Sequence, residues 1–190
     1  MTDNLKEMLE KARAAQKIVE FWPQEKVDEM ILAVGWECYK RETAEKAARM
    51  AVDETGLGVY EDKVVKHMKK SLGVVRDLQG VKTVGVIEDD PKLGLKKIAK
   101  PVGVIGAITP MTNSSSTMPC NGLPILKTRN AVIFAPHPKA KNTCEFICNE
   151  MRKGLKKVGA PEDLVQNIKE PTMDASQELM GMVDLVLATG

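Results

Sequence analysis

The chain has 190 residues, 43% of them hydrophobic, and its 28 basic and 26 acidic side chains leave a formal net charge of +2. That length can bury a real core in one domain or one and a part, and so small a net charge is too little to argue for nucleic acid, whose strong binding normally needs a clustered basic face. No apolar run approaches the length of a membrane span, the Thr2-Asp3-Asn4 start is not that of a secretory signal, and four cysteines without framework spacing suit reduced thiols in the cytoplasm.

Residues 4–20 place Leu5, Met8, Leu9, Ala12, Ala15 and Val19 at helical spacing. A polar face with both charge signs favours a helix lying on its own domain over one that binds a membrane or partner. Pro23 opens a second helix, with Val27, Met30, Ile31 and Val34 inward, that continues to about Asp53 with a break near Lys40. Glu54-Thr55-Gly56-Leu57-Gly58 is a turn, and a third helix spans Tyr60 to Gln79, with His67 exposed among its lysines. Val81–Glu88 and Leu93–Ala99 then read as strands around a turn at Asp89-Asp90-Pro91. Lys92, Lys96, Lys97 and Lys100 give this ribbon a solvated edge guarded against stray pairing.

Residues 100–138 organise the rest. The apolar run from Pro101 to Ile108 is a strand covered on both faces. Thr109-Pro110-Met111-Thr112-Asn113 puts hydroxyl and amide groups at its carboxyl end, where open α/β sheets bind ligands. A helix follows, capped by one of Ser114, Ser115 or Ser116, with Pro119 in its first turn and a kink at Pro124. Ala131–Ala135 is the next buried strand, and Pro136-His137-Pro138 stiffens its exit. A helix from about Lys139 to Val158, a strand at Leu164–Ile168, a helix at Thr172–Met182 and a strand at Val183–Ala188 complete the pattern. The expected fold is α/β: N-terminal helices (1–80), a β-ribbon (81–100), and a Rossmann-like parallel sheet with helices on both faces (101–190), incomplete at its C-terminus.

Read as a series, these stretches resemble the CoA-acylating aldehyde dehydrogenases, above all the aldehyde dehydrogenase half of bifunctional aldehyde–alcohol dehydrogenases. The resemblance rests on Glu54-Thr55-Gly56-Leu57-Gly58 with Glu61-Asp62-Lys63, Pro101-Val102-Gly103-Val104-Ile105, and Thr109-Pro110-Met111-Thr112-Asn113. It continues through Leu126–Ala131, Pro136-His137-Pro138-Lys139-Ala140-Lys141, Gly159–Leu164 and Leu187-Ala188-Thr189-Gly190, in the family's order. The proline–histidine–proline corner points to the acylating branch. Two departures stand out: Ser114 replaces a proline common after the asparagine, and Pro124 lies inside the next helix.

The resemblance implies that NAD (or NADP) accepts hydride, that a small aldehyde and coenzyme A are substrates, and that an acyl-CoA is the product. In such enzymes a cysteine thiolate attacks the aldehyde and CoA thiol resolves the thioacyl enzyme. Asn113 matches the family's oxyanion donor, although asparagine before a helix also serves as a cap. Ile108, Thr109 and Pro110 are expected along the cofactor cleft, with Pro136, His137, Pro138 and Lys139 under the adenosine ribose and Thr189 and Gly190 opening a phosphate-binding turn. Lys139 and Lys141 either draw cofactor phosphates or form a solvated helix face. The family's nucleophile lies downstream of such a turn, so none of the cysteines takes that role by matching. Cys120 reads as core, and Cys144 with Cys148 as buried thiols rather than metal ligands with His137. The chain is thus expected to be the cofactor-binding portion of a homo-oligomeric enzyme, inactive alone, or else a nucleotide-binding or subunit-assembly module derived from it.

Overall fold

A computed structural model of the chain describes residues 5–189; Gly190 and its expected cofactor contact lie outside them. Four helices come first: α1 (Leu5–Val19), α2 (Gln24–Tyr39), α3 (Arg41–Thr55) and α4 (Tyr60–Leu78). A hairpin of β1 (Gly85–Asp90) and β2 (Leu95–Ala99) follows. The remainder alternates β3 (Val104–Thr109), α5 (Ser114–Lys127), β4 (Ala131–Pro136), α6 (Lys141–Lys157), β5 (Val165–Asn167), α7 (Met173–Met182) and β6 (Leu185–Ala188). β3 to β6 form one parallel sheet in the order β5-β4-β3-β6.

The continuous apolar runs become the two central strands because both their faces are covered. Every residue of β4 is buried, and Val104 to Thr109 of β3 pair in register with Ala131 to Pro136. α1 and α7 lie on one face; α5 and α6 cover the other, with α2 packed over them. Gly154 permits that last contact, since a Cβ there would stand 2.5 Å from Val34 Cα and 2.8 Å from its backbone nitrogen. The break between α2 and α3 falls at Lys40, whose ψ of 138° is extended.

The amino end of the sheet is tied by the turn between α5 and β4. Arg129 adopts a left-handed φ of 61°, which sends its buried guanidinium to the carbonyls of Glu20, Thr83 (3.3 Å) and Ala99 (3.0 Å). Asn130 Oδ1 accepts from Val102 N–H (2.6 Å) and Gly103 N–H (2.9 Å), and buried Lys127 pairs with Asp28. Arg13 clamps Asp184 through two bonds of 2.7 and 3.0 Å, while Asp184 accepts Val104 N–H. Burial pushes the Asp184 carboxyl up, but these donors outweigh it and hold the group below its ordinary value.

Four local expectations are corrected. The ribbon begins at Gly85 and its turn is 91–94, because Asp90 Oδ1 accepts the Lys92 and Leu93 N–H groups and so closes the turn one step later. Its lysines do more than guard an edge: Lys96 pairs with Asp89 (3.0 Å) and Lys97 with Glu88 (2.6 Å). Asn113, not a serine, occupies the cap position of α5, which runs unbroken through Pro124; Pro119 lies in its second turn. His67 is fully buried rather than exposed, because it shares the inner face of α4 with Val64 and Ser71. Its Nε2–H donates to the Cys38 carbonyl at the end of α2 (2.8 Å). Its other ring nitrogen, Nδ1, is buried without a hydrogen-bond partner among the described residues.

Two measurements test this packing. Gly154→Ala should lower unfolding free energy by about 3 kcal/mol, since neither helix backbone can yield cheaply. Gly73→Ala, whose Cβ would meet nothing within 4 Å, should raise it by about 0.8–1 kcal/mol through helix propensity. Burial lowers the His67 pKa more than the bond to the Cys38 carbonyl raises it. The neutral ring therefore stabilises the fold fully above about pH 6.5, the unfolded value, and that contribution is lost as pH falls through the folded value. His67→Gln, which keeps a donor for Cys38, should flatten the pH dependence of the denaturant midpoint below pH of about 6.5; equal slopes would refute the assignment.

Candidate functional site

From β3 the chain passes through α5 to β4 and through α6 to β5, then returns by α7 to β6 on the opposite side of β3. The strand order thus reverses between β3 and β6. Loops leaving neighbouring strands at such a point diverge to opposite faces and open a crevice at the carboxyl ends. Thr189 N–H donates to the Ile108 carbonyl (3.1 Å), extending the ladder to the crevice floor, and Asn121 Nδ2 donates to Thr189 Oγ1 (3.1 Å). The resulting pocket has a volume of about 280 Å³ and is lined by Lys66, Lys70, Asn113, Ser116, Thr117, Cys120, Asn121 and Thr189.

Asn113 enters this pocket through its place at the head of α5. Its carbonyl accepts the first helical bond, from Thr117 N–H (3.0 Å), yet its side chain caps nothing. The side-chain oxygen instead accepts from the Lys66 ammonium, while Lys63 Nζ donates to the Thr112 carbonyl (3.2 Å). Burial, and then the charge of Lys66, hold Lys63 below its ordinary pKa. α4 therefore presents a row of cations, Lys63, Lys66 and Lys70, against the loop after β3.

The other expected contacts divide. At the end of β4, His137, Pro138 and Lys139 are exposed, whereas Pro136 is buried in the strand. His137 N–H donates to the Thr109 carbonyl (3.2 Å) and its Nδ1 accepts from Lys139 N–H (3.1 Å), which makes the corner a rigid shelf beside the end of β3. Ile108 and Pro110 are half-buried, and the Thr109 side chain turns inward, its Oγ1 3.9 Å from Cys144 Sγ. The structure thus gathers Asn113 with Thr189, and places the 136–139 shelf one strand away.

The start of α6 does not have free donors for a phosphate. Glu54 accepts from Asn142 N–H (2.8 Å), Thr143 N–H (2.8 Å) and Thr143 Oγ1 (2.7 Å), and Lys141 pairs with Glu170 (2.6 Å). A carboxylate of the chain already occupies that anion position. Burial pushes the Cys144 and Cys148 thiols each up to about 12 and raises Cys38 as well. Cys120 departs from expectation: it is half-buried on the pocket wall, with burial raising its pKa while Lys70 and Lys66 oppose that. Among the described residues no three His, Cys, Asp or Glu side chains come together as a metal site, and no helix is long and apolar enough to cross a membrane. Sequence reasoning missed Lys66, Lys70, Cys120 and Asn121 as pocket residues; the spacing of Lys63, Lys66 and Lys70 along one helix face was the available signal.

Comparison with known proteins finds relatives along almost the whole chain. The chain is 53% identical over 182 residues to a sulfoacetaldehyde dehydrogenase of an Acholeplasma species, covering 96% of this chain and 38% of the relative. It is 44% identical over 187 residues to the acetylating succinate-semialdehyde dehydrogenase of Clostridium kluyveri, covering 98% and 41%. An acetylating aldehyde dehydrogenase from Geobacillus thermoglucosidasius superposes with a TM-score of 0.93 at 38% identity, over 98% of this chain and 41% of that one. An engineered glycolyl-CoA reductase with bound NADP+ and the Rhodopseudomonas palustris propionaldehyde dehydrogenase with bound CoA and an acylated cysteine each give a TM-score of 0.82 at 29% identity, over 100% of this chain and 43% of theirs. The chain therefore spans about two fifths of the length of the relatives it matches. Residues 2–190 also match the profile of the aldehyde dehydrogenase family, and with sequence, sheet order and solved relatives in agreement, the chain belongs to that family.

Proposed function

We propose that this chain is the cofactor-binding portion of a CoA-acylating aldehyde dehydrogenase, with Asn113 as the donor to the oxyanion. The observation that carries the reading is Asn113 itself: it stands at the switch point, in one pocket with Thr189, with its side chain released from capping. A nicotinamide dinucleotide, NAD in this reading and NADP as the alternative form, fits the crevice. Ile108, Thr109 and Pro110 would border it through the end of β3, with Thr109 offering backbone only. His137, Pro138 and Lys139 form the exposed shelf for a ribose, above buried Pro136, and Thr189 with Gly190 begins the turn toward the phosphates. When bound, that cofactor supplies the hydride acceptor. The chain's own part is to hold it against the carboxyl ends of the strands and to aim an amide at developing negative charge.

The relatives named for sulfoacetaldehyde and succinate semialdehyde act on aldehydes that carry an acid group, and the pocket beside Asn113 presents Lys66 and Lys70. We therefore favour an acid-bearing aldehyde as the substrate. The four thiols all have raised pKa values, which is unsuited to a nucleophile near neutral pH, so the attacking cysteine is assigned to none of them. The same thiols support the alternative of a non-catalytic nucleotide-binding or assembly module. Exposed Val86, Ile87, Leu95 and Ile98 on the ribbon support subunit contact as its role in a homo-oligomer. A cytoplasmic address suits four free thiols.

Calorimetry with NAD, paired with an NADH-absorbance assay containing CoA and small aldehydes, tests the reading. Saturable NAD binding without turnover is expected; absence of binding would reject the cofactor assignment, and turnover would reject the exclusion of these thiols. Substrate class is tested by adding an acid-bearing and a neutral aldehyde to the labelled chain. The side-chain resonances of Lys66 and Lys70 should move with the former only, and Lys70→Met should weaken that response several-fold, on the order expected for loss of one charge-assisted contact.

A further inference from the structure

The Asn113 amide has two competing uses. At a helix cap position an asparagine oxygen ordinarily accepts from the N–H two or three residues on, here Ser115 or Ser116. An oxyanion donor needs the opposite: its oxygen held elsewhere and its NH2 group turned to the reacting atom. In this structure the cap bond is not made, and the oxygen sits on the Lys66 ammonium. An ammonium carries donors and no acceptor, so it selects the oxygen over the NH2 group. Among the described residues no acceptor takes the Asn113 NH2 protons, and the residue lines the pocket.

We infer that Lys66 is a positioning residue that pulls the Asn113 oxygen off its own helix and leaves the amide protons facing the cleft. This rests on the reading of Asn113 as the oxyanion donor. The mounting of α4 suits such a task. One residue beyond Lys66, buried His67 donates to the Cys38 carbonyl (2.8 Å); one turn before it, Lys63 holds the Thr112 carbonyl (3.2 Å). The lysine therefore approaches from a helix fixed on both sides of it, and the loop that carries Asn113 is held at two successive residues, Thr112 and Asn113. Removing the ammonium leaves the backbone at Asn113 anchored by Thr117 N–H, so the side chain alone is free to choose. Its nearest alternative is the cap.

Nitrogen-15 NMR of the full 190-residue chain reads this choice without any assay of activity. In Lys66→Met the Asn113 side-chain NH2 resonances should shift, and the backbone N–H of Ser115 or Ser116 should move downfield as it gains an acceptor, with stability unchanged or raised. Lys66→Arg, which keeps a donor-only cation, should reproduce the parent spectrum. In an Asn113→Ala background, Lys66→Met should leave the Ser115 and Ser116 signals where they are. Unchanged Asn113 resonances in Lys66→Met would overturn the inference. So would shifts spread along α4 and α5 with loss of stability, which mark a merely structural lysine. A failure of NAD binding alongside the expected shifts would reject the function proposed for the site but not the positioning of the amide.

Discussion

The buried guanidinium of Arg129 is the interaction on which the arrangement depends. It links three carbonyls from parts of the chain far apart in sequence: the end of α1 at Glu20, the approach to the ribbon at Thr83, and its exit at Ala99. A charge removed from water is tolerated only when such partners surround it, and losing them costs several kcal/mol. The left-handed backbone at Arg129 is what turns the side chain back under the sheet. Next to it, Asn130 receives two N–H groups at the entry to β3. The start of β3 is thereby set against β4, and the register carries that setting along the strands to the carboxyl ends.

At those ends the same logic operates with polar groups exposed rather than buried. β3 delivers Asn113, β6 delivers Thr189, and α4 supplies the cations that face them. Lys66 and the helix cap compete for one amide oxygen, and the lysine has it. The second potential anion position, the start of α6, is closed by Glu54, which ties α3 to α6. The lysines that line the crevice therefore stand on its α4 side, beside the amide.

Much of the architecture was legible because periodicity reports burial directly. The apolar runs at 104–108 and 131–135 have no polar face, so they had to be covered on both sides, and they are central strands, although the first starts at Val104 rather than at Pro101 because Val102 is exposed. Helices α1 to α4 followed from their spacing and from Pro23 and Gly56. The misplacements share a cause: a side chain's local surroundings outvoted its face. His67 looked exposed among lysines, although the period shared with Val64 and Ser71 puts it inside. Cys120 looked like core among apolar neighbours, although it borders the pocket.

By itself, then, the sequence determined the alternation of strands and helices, the two buried strands, and the presence of an asparagine at the carboxyl end of the first. These follow from local covalent geometry and from hydrophobic spacing, which act within a few residues. Only the tertiary structure decided what that asparagine touches. Lys66 and Asn113 are 47 positions apart and Asn121 and Thr189 are 68 apart, and no local pattern encodes which distant donor reaches a given oxygen first. That outcome depends on how α4 and β6 are seated around β3, which is set by packing over the whole core.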